Sequence, residues 1–182
     1  LKILSEKYTS NRQFIDLFIR EARAAGRLSH PHIVQVYDVG NELNQHFFTM
    51  ELVAGGSVEK IIDEIGAIET DQALRYARDA ARGLEYAEKQ GIVHRDIKPA
   101  NLLLVDPPEG SPLPAGLPMV KIADFGLAYL TSEAEPENRL TAANATVGSP
   151  HYMAPEQFLD AKNVDERADI YALGMTLYEM LA

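Results

Sequence analysis

The sequence has no cysteine, and its basic residues are outnumbered by acidic ones. The lack of cysteine excludes disulfide bonds, thiolate zinc sites and a cysteine nucleophile, and it fits a reducing compartment. Lys+Arg number 17 against 27 Asp+Glu, for a net charge of -10. The composition therefore offers no phosphate-neutralising surface, and we expect no nucleic-acid partner. No apolar run approaches the ~18 residues of a membrane-spanning helix, so we expect no membrane contact by this segment.

What the sequence does contain is typical of a globular domain. Of its 182 residues, 46% are hydrophobic and 24% are charged, which is enough apolar material to bury a core. The chain opens at Leu1 inside an apolar strand-like run and closes at Ala182 inside a helical pattern without a stop signal. We therefore expect it to be a fragment of a longer chain.

A helix is predicted near the N-terminus, after a short strand from Leu1 to Leu4. Ser10 and Gln13 have the spacing of a capping box at its start. Its predicted apolar face consists of Phe14, Leu17, Phe18, Ala22 and Ala25. Glu21 falls on the same face, and a carboxylate directed at a core requires a cation as its partner.

Further strands and helices follow from hydrophobic periodicity. Strands are predicted from Ile33 to Val39 and from His46 to Leu52, and Gly55-Gly56-Ser57 then marks a boundary. A helix is predicted from Thr70 to Lys89, with Leu74, Ala77, Ala81, Leu84 and Ala87 on its apolar stripe. Short apolar runs at Leu102 to Val105 and Val120 to Ala123 flank a proline-rich loop. The last helix runs from Asp165 to the end, with Ile170, Leu173, Leu177 and Leu181 on one stripe.

The most specific motif is His94-Arg95-Asp96-Ile97-Lys98-Pro99-Ala100-Asn101. It sets a carboxylate, an ammonium group and an amide at short fixed spacing on a connection between two predicted elements. Here the chain resembles the protein kinase family. Asp124-Phe125-Gly126 and Ala154-Pro155-Glu156 follow in the order of that family's metal-binding loop and the end of its activation segment. The resemblance covers essentially the whole chain and is greatest to the eukaryotic-type kinases of bacteria.

The resemblance implies an α+β, two-lobed protein kinase fold in a single domain. Residues 1–52 would form a partial N-lobe of strands and one helix. Residues 53–182 would form the hinge and a partial, mainly helical C-lobe with the catalytic loop and activation segment. Because parts of both lobes would be missing, we expect the isolated chain to be inactive.

ATP and Mg²⁺ are the implied cofactors, with Mn²⁺ as an alternative ion. By resemblance, Asn101 and Asp124 would hold the metal. Lys2 would hold the α- and β-phosphates of ATP, and Glu21 would pair with Lys2 and fix its direction. This pairing would supply the cation that Glu21 requires.

The resemblance also assigns the transfer step. Asp96 would accept or orient the proton of the incoming hydroxyl, and Lys98 would lie near the γ-phosphate. Lys98, together with Ser149 before Pro150, is characteristic of serine/threonine rather than tyrosine kinases.

The adenine base would bind after the strand that ends at Leu52. Met50 would act as gatekeeper, the backbone groups of Glu51 and Val53 would meet the base edge, and Leu103 would form the floor of the pocket. Each apolar member of this set could equally be ordinary core.

Five further residues have structural roles by resemblance: His94, Phe125, Gly126, Glu156 and Asp169. Asp169 would support the catalytic-loop backbone from the last helix. Glu156 would be an anchor that pairs with an arginine downstream of this chain.

Several alternatives stay open. The resemblance implies an active serine/threonine protein kinase that acts in signalling, with its catalytic domain in the cytoplasm. Its implied partners are ATP and protein substrates, and a dimer would be a route to autophosphorylation. One alternative is a pseudokinase or scaffold that uses the fold to bind proteins. The retention of Lys2, Glu21, Asp96, Asn101 and Asp124 argues against it, since a scaffold needs none of their chemistry. A small-molecule phosphotransferase of the same fold is disfavoured by the long segment that ends at Glu156.

Arg95 next to Asp96 resembles kinases whose activation segment is ordered by phosphorylation. Candidate sites are Thr141 and Thr146, with Thr131 and Ser132 less favoured. We predict that Thr141→Ala, expressed as a full domain beside a full-domain parent, lowers the rate of peptide phosphorylation by about tenfold or more, the equivalent of one charge-assisted hydrogen bond to a phosphate. Thr131→Ala is the control. Equal rates for Thr141→Ala and the parent would remove Thr141 as the main site.

Overall fold

The computed structural model describes residues 1–9, 11–43, 45–107, 117–125, 150–159 and 164–182. Helices and strands are mixed in these ranges. The strands are β1 (Lys2–Ile3), β2 (Val36–Glu42), β3 (Gln45–Met50), β4 (Leu102–Val105) and β5 (Met119–Ile122). The helices are α1 (Arg12–Ala25), α2 (Val58–Ile65), α3 (Thr70–Lys89), α4 (Pro155–Leu159) and α5 (Arg167–Leu181). Short 3₁₀ turns occur at Glu6–Tyr8, Pro99–Asn101 and Pro150–Tyr152.

The first part of the chain combines one antiparallel sheet with helix α1. The strand order is β1-β3-β2, and Lys2 lies opposite Phe48 in the register. The buried residues of α1 are Phe14, Leu17, Phe18, Ala22 and Ala25, as the periodicity predicts. The helix begins at Arg12 because the Asn11 side chain accepts the backbone N–H of Gln13 at 3.0 Å. The predicted cap Ser10 lies outside the described residues.

The second part is mainly helical, with β4 and β5 as a two-stranded antiparallel sheet. Helix α3 has the predicted bounds, and Gly91 follows its end with a positive φ of 71°. Helix α2 is not among the predicted elements, because the sequence Gly55-Gly56-Ser57 indicates only a boundary between elements. Ser57 is in fact its N-cap, since the Ser57 hydroxyl oxygen accepts the backbone N–H of Lys60 at 3.2 Å.

Two predicted helix stripes are partly wrong. Leu74 is 49% exposed on α3, where Ala81 is exposed as well, and Ile170 and Leu181 are 65% and 41% exposed on α5. The buried residues of α3 are Ala73, Tyr76, Ala77, Asp79, Ala80, Gly83, Leu84 and Ala87, and those of α5 are Ala168, Asp169, Ala172, Thr176 and Met180. Alanine and glycine are the commonest residues among them because α3 packs closely against both β5 and α5, although Tyr76, Leu84 and Met180 are buried too.

The segment after α1 joins the two sheets. Val34 donates its N–H to Ile122 O at 2.9 Å, and Ile122 donates to His32 O at 2.9 Å. The His32 ring also bonds Val120 O through Nδ1 at 2.9 Å. The first sheet is thereby tied to β5, the strand that leads directly to Asp124.

Helices in the described ranges lack any stretch that is both long and apolar enough to span a bilayer. The centre of the predicted proline-rich loop, residues 108–116, lies outside the described residues.

Gly83 of α3 lies against the contact between the segment after α1 and strand β5. A Cβ atom at Gly83 would lie 2.8 Å from His32 O and 2.9 Å from Ile122 Cδ1. We predict that Gly83→Ala lowers the free energy of unfolding by about 1–3 kcal/mol, although alanine is the better helix former. The measurement is chemical denaturation. The matched control is Ala81→Gly, at an exposed site on the same helix. This change should lower the free energy of unfolding by about 1 kcal/mol, because glycine is the poorer helix former. A stabilising Gly83→Ala would contradict the predicted steric conflict.

Candidate active site

Asp169 of helix α5 holds the backbone of the catalytic-loop segment that begins at His94. Its two carboxylate oxygens accept the N–H groups of His94 and Arg95, each at 2.7 Å. Burial raises the pKa of Asp169, and the charge and backbone N–H groups of His94 and Arg95 oppose that rise. Arg95 has a φ of 71°, a left-handed conformation that costs a non-glycine residue about 1–2 kcal/mol. The carboxylate therefore stabilises a strained turn that leads directly into Asp96.

Two side-chain donors from the turn that follows Asp96 contact its carboxylate. Its Oδ2 atom accepts Lys98 Nζ at 2.9 Å and Asn101 Nδ2 at 3.1 Å. Asn101 Nδ2 also donates to Asp96 O at 2.7 Å. The Pro99–Asn101 turn brings these side chains together because it folds the chain back within a few residues. Both donors contact Oδ2, and within the described residues Oδ1 accepts no hydrogen bond, so its lone pairs can meet another proton donor.

His94 connects the catalytic loop to the end of β5. Its ring is fully buried, donates from Nε2 to Ala123 O at 2.8 Å, and accepts the N–H of Asp96 at Nδ1 at 3.2 Å. The N–H of Ala123 also donates to Asn101 O at 2.9 Å. The Phe125 ring packs edge-on against His94, with ring centroids 4.6 Å apart. These contacts hold the segments that carry Asp96 and Asp124 next to each other.

In this structure Lys2 pairs with Asp124, and the predicted pair of Lys2 with Glu21 is not formed. Lys2 Nζ lies 2.7 Å from Asp124 Oδ2. Asp124 has a φ of 65°, so its carboxylate projects from an unusual backbone conformation at the end of β5. The carboxylate satisfies the lysine ammonium there, and Glu21 turns along α1 to Arg20 at 3.4 Å.

Glu21 is partly desolvated in this arrangement. Burial raises its pKa above the ordinary value of 4.5, and the positive charges of Arg20 and Arg95 oppose that rise. Its carboxylate therefore lacks a partner strong enough to offset the burial cost.

The residues predicted to surround adenine lie between the two parts of the chain. Met50, Glu51, Val53 and Leu103 are each half-buried. Met50 also lines a small apolar cavity between α1 and Phe125, whose other wall residues include Ala22, Ala25 and Phe48. The N–H of Glu51 donates to Gln35 O at 2.8 Å, which fixes the course of the chain after β3.

Lys121 contacts the segment predicted to meet adenine, and sequence reasoning missed this contact. Its ammonium group lies 2.8 Å from Glu51 Oε2, and both side chains are largely buried. The Glu51 carboxylate also accepts the N–H of Gln35 at 3.3 Å. The available signal was a lysine in the middle of the apolar run from Val120 to Ala123, since a cation there requires a carboxylate.

The donor set fits a hard divalent cation. Asn101 and Asp124 supply amide and carboxylate oxygens, the ligands that Mg²⁺ prefers, and Mg²⁺ usually binds one or two protein carboxylates together with waters and phosphates. Asn101 Nδ2 donates to Asp96, so its Oδ1 atom is the end available to a cation. In the described ranges, no group of three or more His, Cys, Asp or Glu side chains is arranged to hold a metal.

The remaining predicted residues divide into two groups. Glu156 is exposed on α4, and its pairing with an arginine downstream of this chain stays a prediction. Gly126, Thr141 and Thr146 lie outside the described residues, as do Thr131, Ser132 and Ser149. Gln157, to which sequence reasoning assigned no role, contacts Arg95 O.

Comparison with sequence families gives a match along the whole chain. The family described as protein kinase domain matches residues 1–182. A probable serine/threonine-protein kinase of Clostridium acetobutylicum is 41% identical over 180 residues, which cover 99% of this chain and 25% of the relative. The serine/threonine-protein kinase PknL of Mycobacterium tuberculosis is 35% identical, with 100% of this chain and 42% of the relative covered. The chain thus spans less than half the length of these relatives.

Among solved structures, the chain is similar to the kinase domain of PknI from Mycobacterium tuberculosis. The TM-score is 0.72 at 29% identity, with 100% of this chain and 62% of that chain covered. The predicted α+β, two-lobed fold class is thereby confirmed.

The raised pKa of Glu21 generates a prediction about stability. Because folding disfavours its ionised form, charged Glu21 opposes folding once the pH exceeds its folded pKa. Glu21→Gln should therefore increase the free energy of unfolding at pH 7–8, and the gain should shrink as the pH falls through the folded pKa towards 4.5. The measurement is urea denaturation across this pH range.

Glu85→Gln is the matched control with the opposite sign. The hydrogen bond and charge of Lys89 lower the pKa of Glu85, so its removal should not stabilise the fold at neutral pH. A Glu21→Gln gain that is equal at pH 4 and pH 8 would contradict the assignment to charge burial.

Proposed function

This chain belongs to the protein kinase family, and from that premise we propose that it transfers the γ-phosphoryl group of ATP to serine or threonine hydroxyls of protein substrates in a signalling role. The observation that carries the proposal is the cluster of Asp96, Lys98 and Asn101, bonded together and tied through Ala123 to the segment of Asp124. A loose phosphoryl-transfer transition state requires positioned groups and countercharge, which this cluster supplies.

Asp96 acts on the incoming hydroxyl group. Lys98 and Asn101 donate to its Oδ2, so Oδ1 is available to accept the hydroxyl proton as the oxygen attacks the γ-phosphorus. A new oxygen–phosphorus bond forms, the bond between the γ-phosphorus and the bridging oxygen breaks, and ADP leaves. The Lys98 ammonium group remains beside the carboxylate and offsets negative charge on the transferred group.

Asn101 and Asp124 are the proposed metal ligands. Mg²⁺, or Mn²⁺ in its place, supplies positive charge to the phosphate oxygens when it is bound. Lys2 is proposed to bind the α- and β-phosphates, for which its ammonium group must move away from Asp124 Oδ2. Glu21 is the carboxylate proposed to receive it, and this would also relieve the burial cost of Glu21.

The proposed domain division follows the same scheme. Residues 1–52 form part of the N-lobe, and residues 53–182 contain the hinge and part of the C-lobe. Adenine would bind beside Met50, against the backbone groups of Glu51 and Val53 and over Leu103. The hydrogen bonds of Glu51 to Gln35 and Lys121 support this, because they hold the hinge segment in place.

The proposed substrate class and the proposed cytoplasmic location are each supported by a separate observation. The contact between Lys98 and Asp96 favours serine and threonine hydroxyls, by the family resemblance. The absence of cysteine agrees with a cytoplasmic catalytic domain. We also propose that two copies phosphorylate each other, and that a phosphorylated Thr141 or Thr146 would pair with Arg95.

We predict that Asp96→Asn lowers kcat for phosphate incorporation by about 10²–10⁴-fold, because the amide cannot accept the hydroxyl proton. The KM for ATP should change little, since the variant keeps the shape of the side chain. The measurement is transfer of labelled phosphate from ATP to a serine- or threonine-containing protein and to the chain itself.

Asp106→Asn, at an exposed position after β4, is the matched control and should leave kcat unchanged. Unchanged incorporation by Asp96→Asn would overturn the assigned role. A full-length parent that binds ATP without any transfer would favour the scaffold alternative.

A further inference from the structure

Arg95 is a strained residue whose backbone is held at both ends. Its φ of 71° lies in the left-handed region, where a non-glycine residue stays only if its surroundings fix it. Asp169 holds the N–H side by accepting the amide of Arg95 at 2.7 Å. The carbonyl side faces a different element, helix α4.

Gln157 of helix α4 holds that carbonyl. Its Nε2 atom donates to Arg95 O at 3.0 Å. Its Oε1 atom accepts the N–H of Ala154 at 2.9 Å, at the start of the same helix. The side chain is half-buried, and Ala154 is fully buried. One amide group therefore joins the first turn of α4 to the residue that precedes Asp96.

We propose that Gln157 is a positioning residue for phosphoryl transfer: by fixing the Arg95 carbonyl opposite the Asp169 contact, it sets the direction of Asp96. The proposal rests on the proposed function, because Asp96 is the group that would meet the hydroxyl proton. Asp96 directly follows Arg95, so a rotation of the peptide between them moves the Asp96 side chain. Neither Asp169 nor His94 bonds the oxygen of that peptide in the described contacts, whereas Gln157 does.

Glutamine meets a requirement here that similar side chains do not. The site needs a donor for Arg95 O and an acceptor for Ala154 N on one planar group, which an amide provides. Glutamate would keep the acceptor and place a second acceptor against the carbonyl. Lysine would keep a donor and lose the acceptor. The two substitutions therefore separate the contact with the catalytic loop from the capping of α4.

The experiment compares Gln157→Glu and Gln157→Lys in the full natural chain. Leu159→Ala is the control, since Leu159 is 89% exposed on the same helix. For Gln157→Glu we expect a kcat about tenfold lower, the size of effect that one lost hydrogen bond gives, with the KM for ATP within about twofold of the parent. Gln157→Lys should retain more of the parent kcat than Gln157→Glu but melt at a lower temperature, because its α4 cap is lost.

A second readout does not depend on activity. Hydrogen exchange of the backbone amides of Arg95 and Asp96, followed by mass spectrometry, should be faster in Gln157→Glu than in the parent and in Leu159→Ala. If the parent shows no phosphoryl transfer, the proposed function fails, and the exchange rates alone still decide whether Gln157 holds the loop.

Two results would overturn the positioning role. One is a kcat for Gln157→Glu equal to or above that of Gln157→Lys, which would assign Gln157 to helix capping. The other is unchanged amide exchange in a folded Gln157→Glu variant. If Gln157→Glu does not fold, Gln157→Ala, which removes both hydrogen bonds, takes its place: exchange of Arg95 and Asp96 faster than in Leu159→Ala supports the proposal, and parent-like exchange contradicts it.

Discussion

The candidate site depends on one buried carboxylate that accepts two adjacent backbone N–H groups. Asp169 lies in the first turn of α5, and the N–H groups of His94 and Arg95 each lie 2.7 Å from its oxygens. Without these bonds, a buried donor and a partly buried one would be unsatisfied, and the left-handed turn at Arg95 would lose support. A helix from the last part of the sequence thus holds the backbone that leads into Asp96, although the two are far apart in sequence.

Charge compensation at the candidate site follows a common pattern. Asp96 is paired with Lys98 and Asp124 is paired with Lys2, so each of the two carboxylates has its own ammonium group. The two pairs differ in how they are held. Lys98 comes from the same tight turn as Asp96, whereas Lys2 reaches Asp124 from a separate sheet. The first pair is therefore a local feature of the loop, and the second depends on how the two parts of the chain are arranged.

Sequence patterns identified the elements better than the contacts between them. Helix α3 was predicted with its exact bounds because periodicity and a glycine after its end agree, and the helical face of α1 was predicted because its large apolar residues are regularly spaced. The prediction of the inward face of α3 was partly wrong, since close packing selects small side chains and leaves Leu74 outside.

The motif indicated which residues would meet, but not that Lys2 would bond Asp124 in preference to Glu21, because that choice depends on side-chain rotamers and distances. Gln157 carried no signal, since its role depends on a carbonyl that is distant in sequence.

The pairing of His32 and Val34 with Ile122 has a mechanical consequence. Because this contact lies on the strand that leads to Asp124, the first sheet and the segment of Asp124 are mechanically coupled. The ion pair of Lys2 with Asp124, at 2.7 Å, is a second connection between the same two parts. Any rotation of the first sheet would therefore have to break this ion pair or carry Asp124 with it.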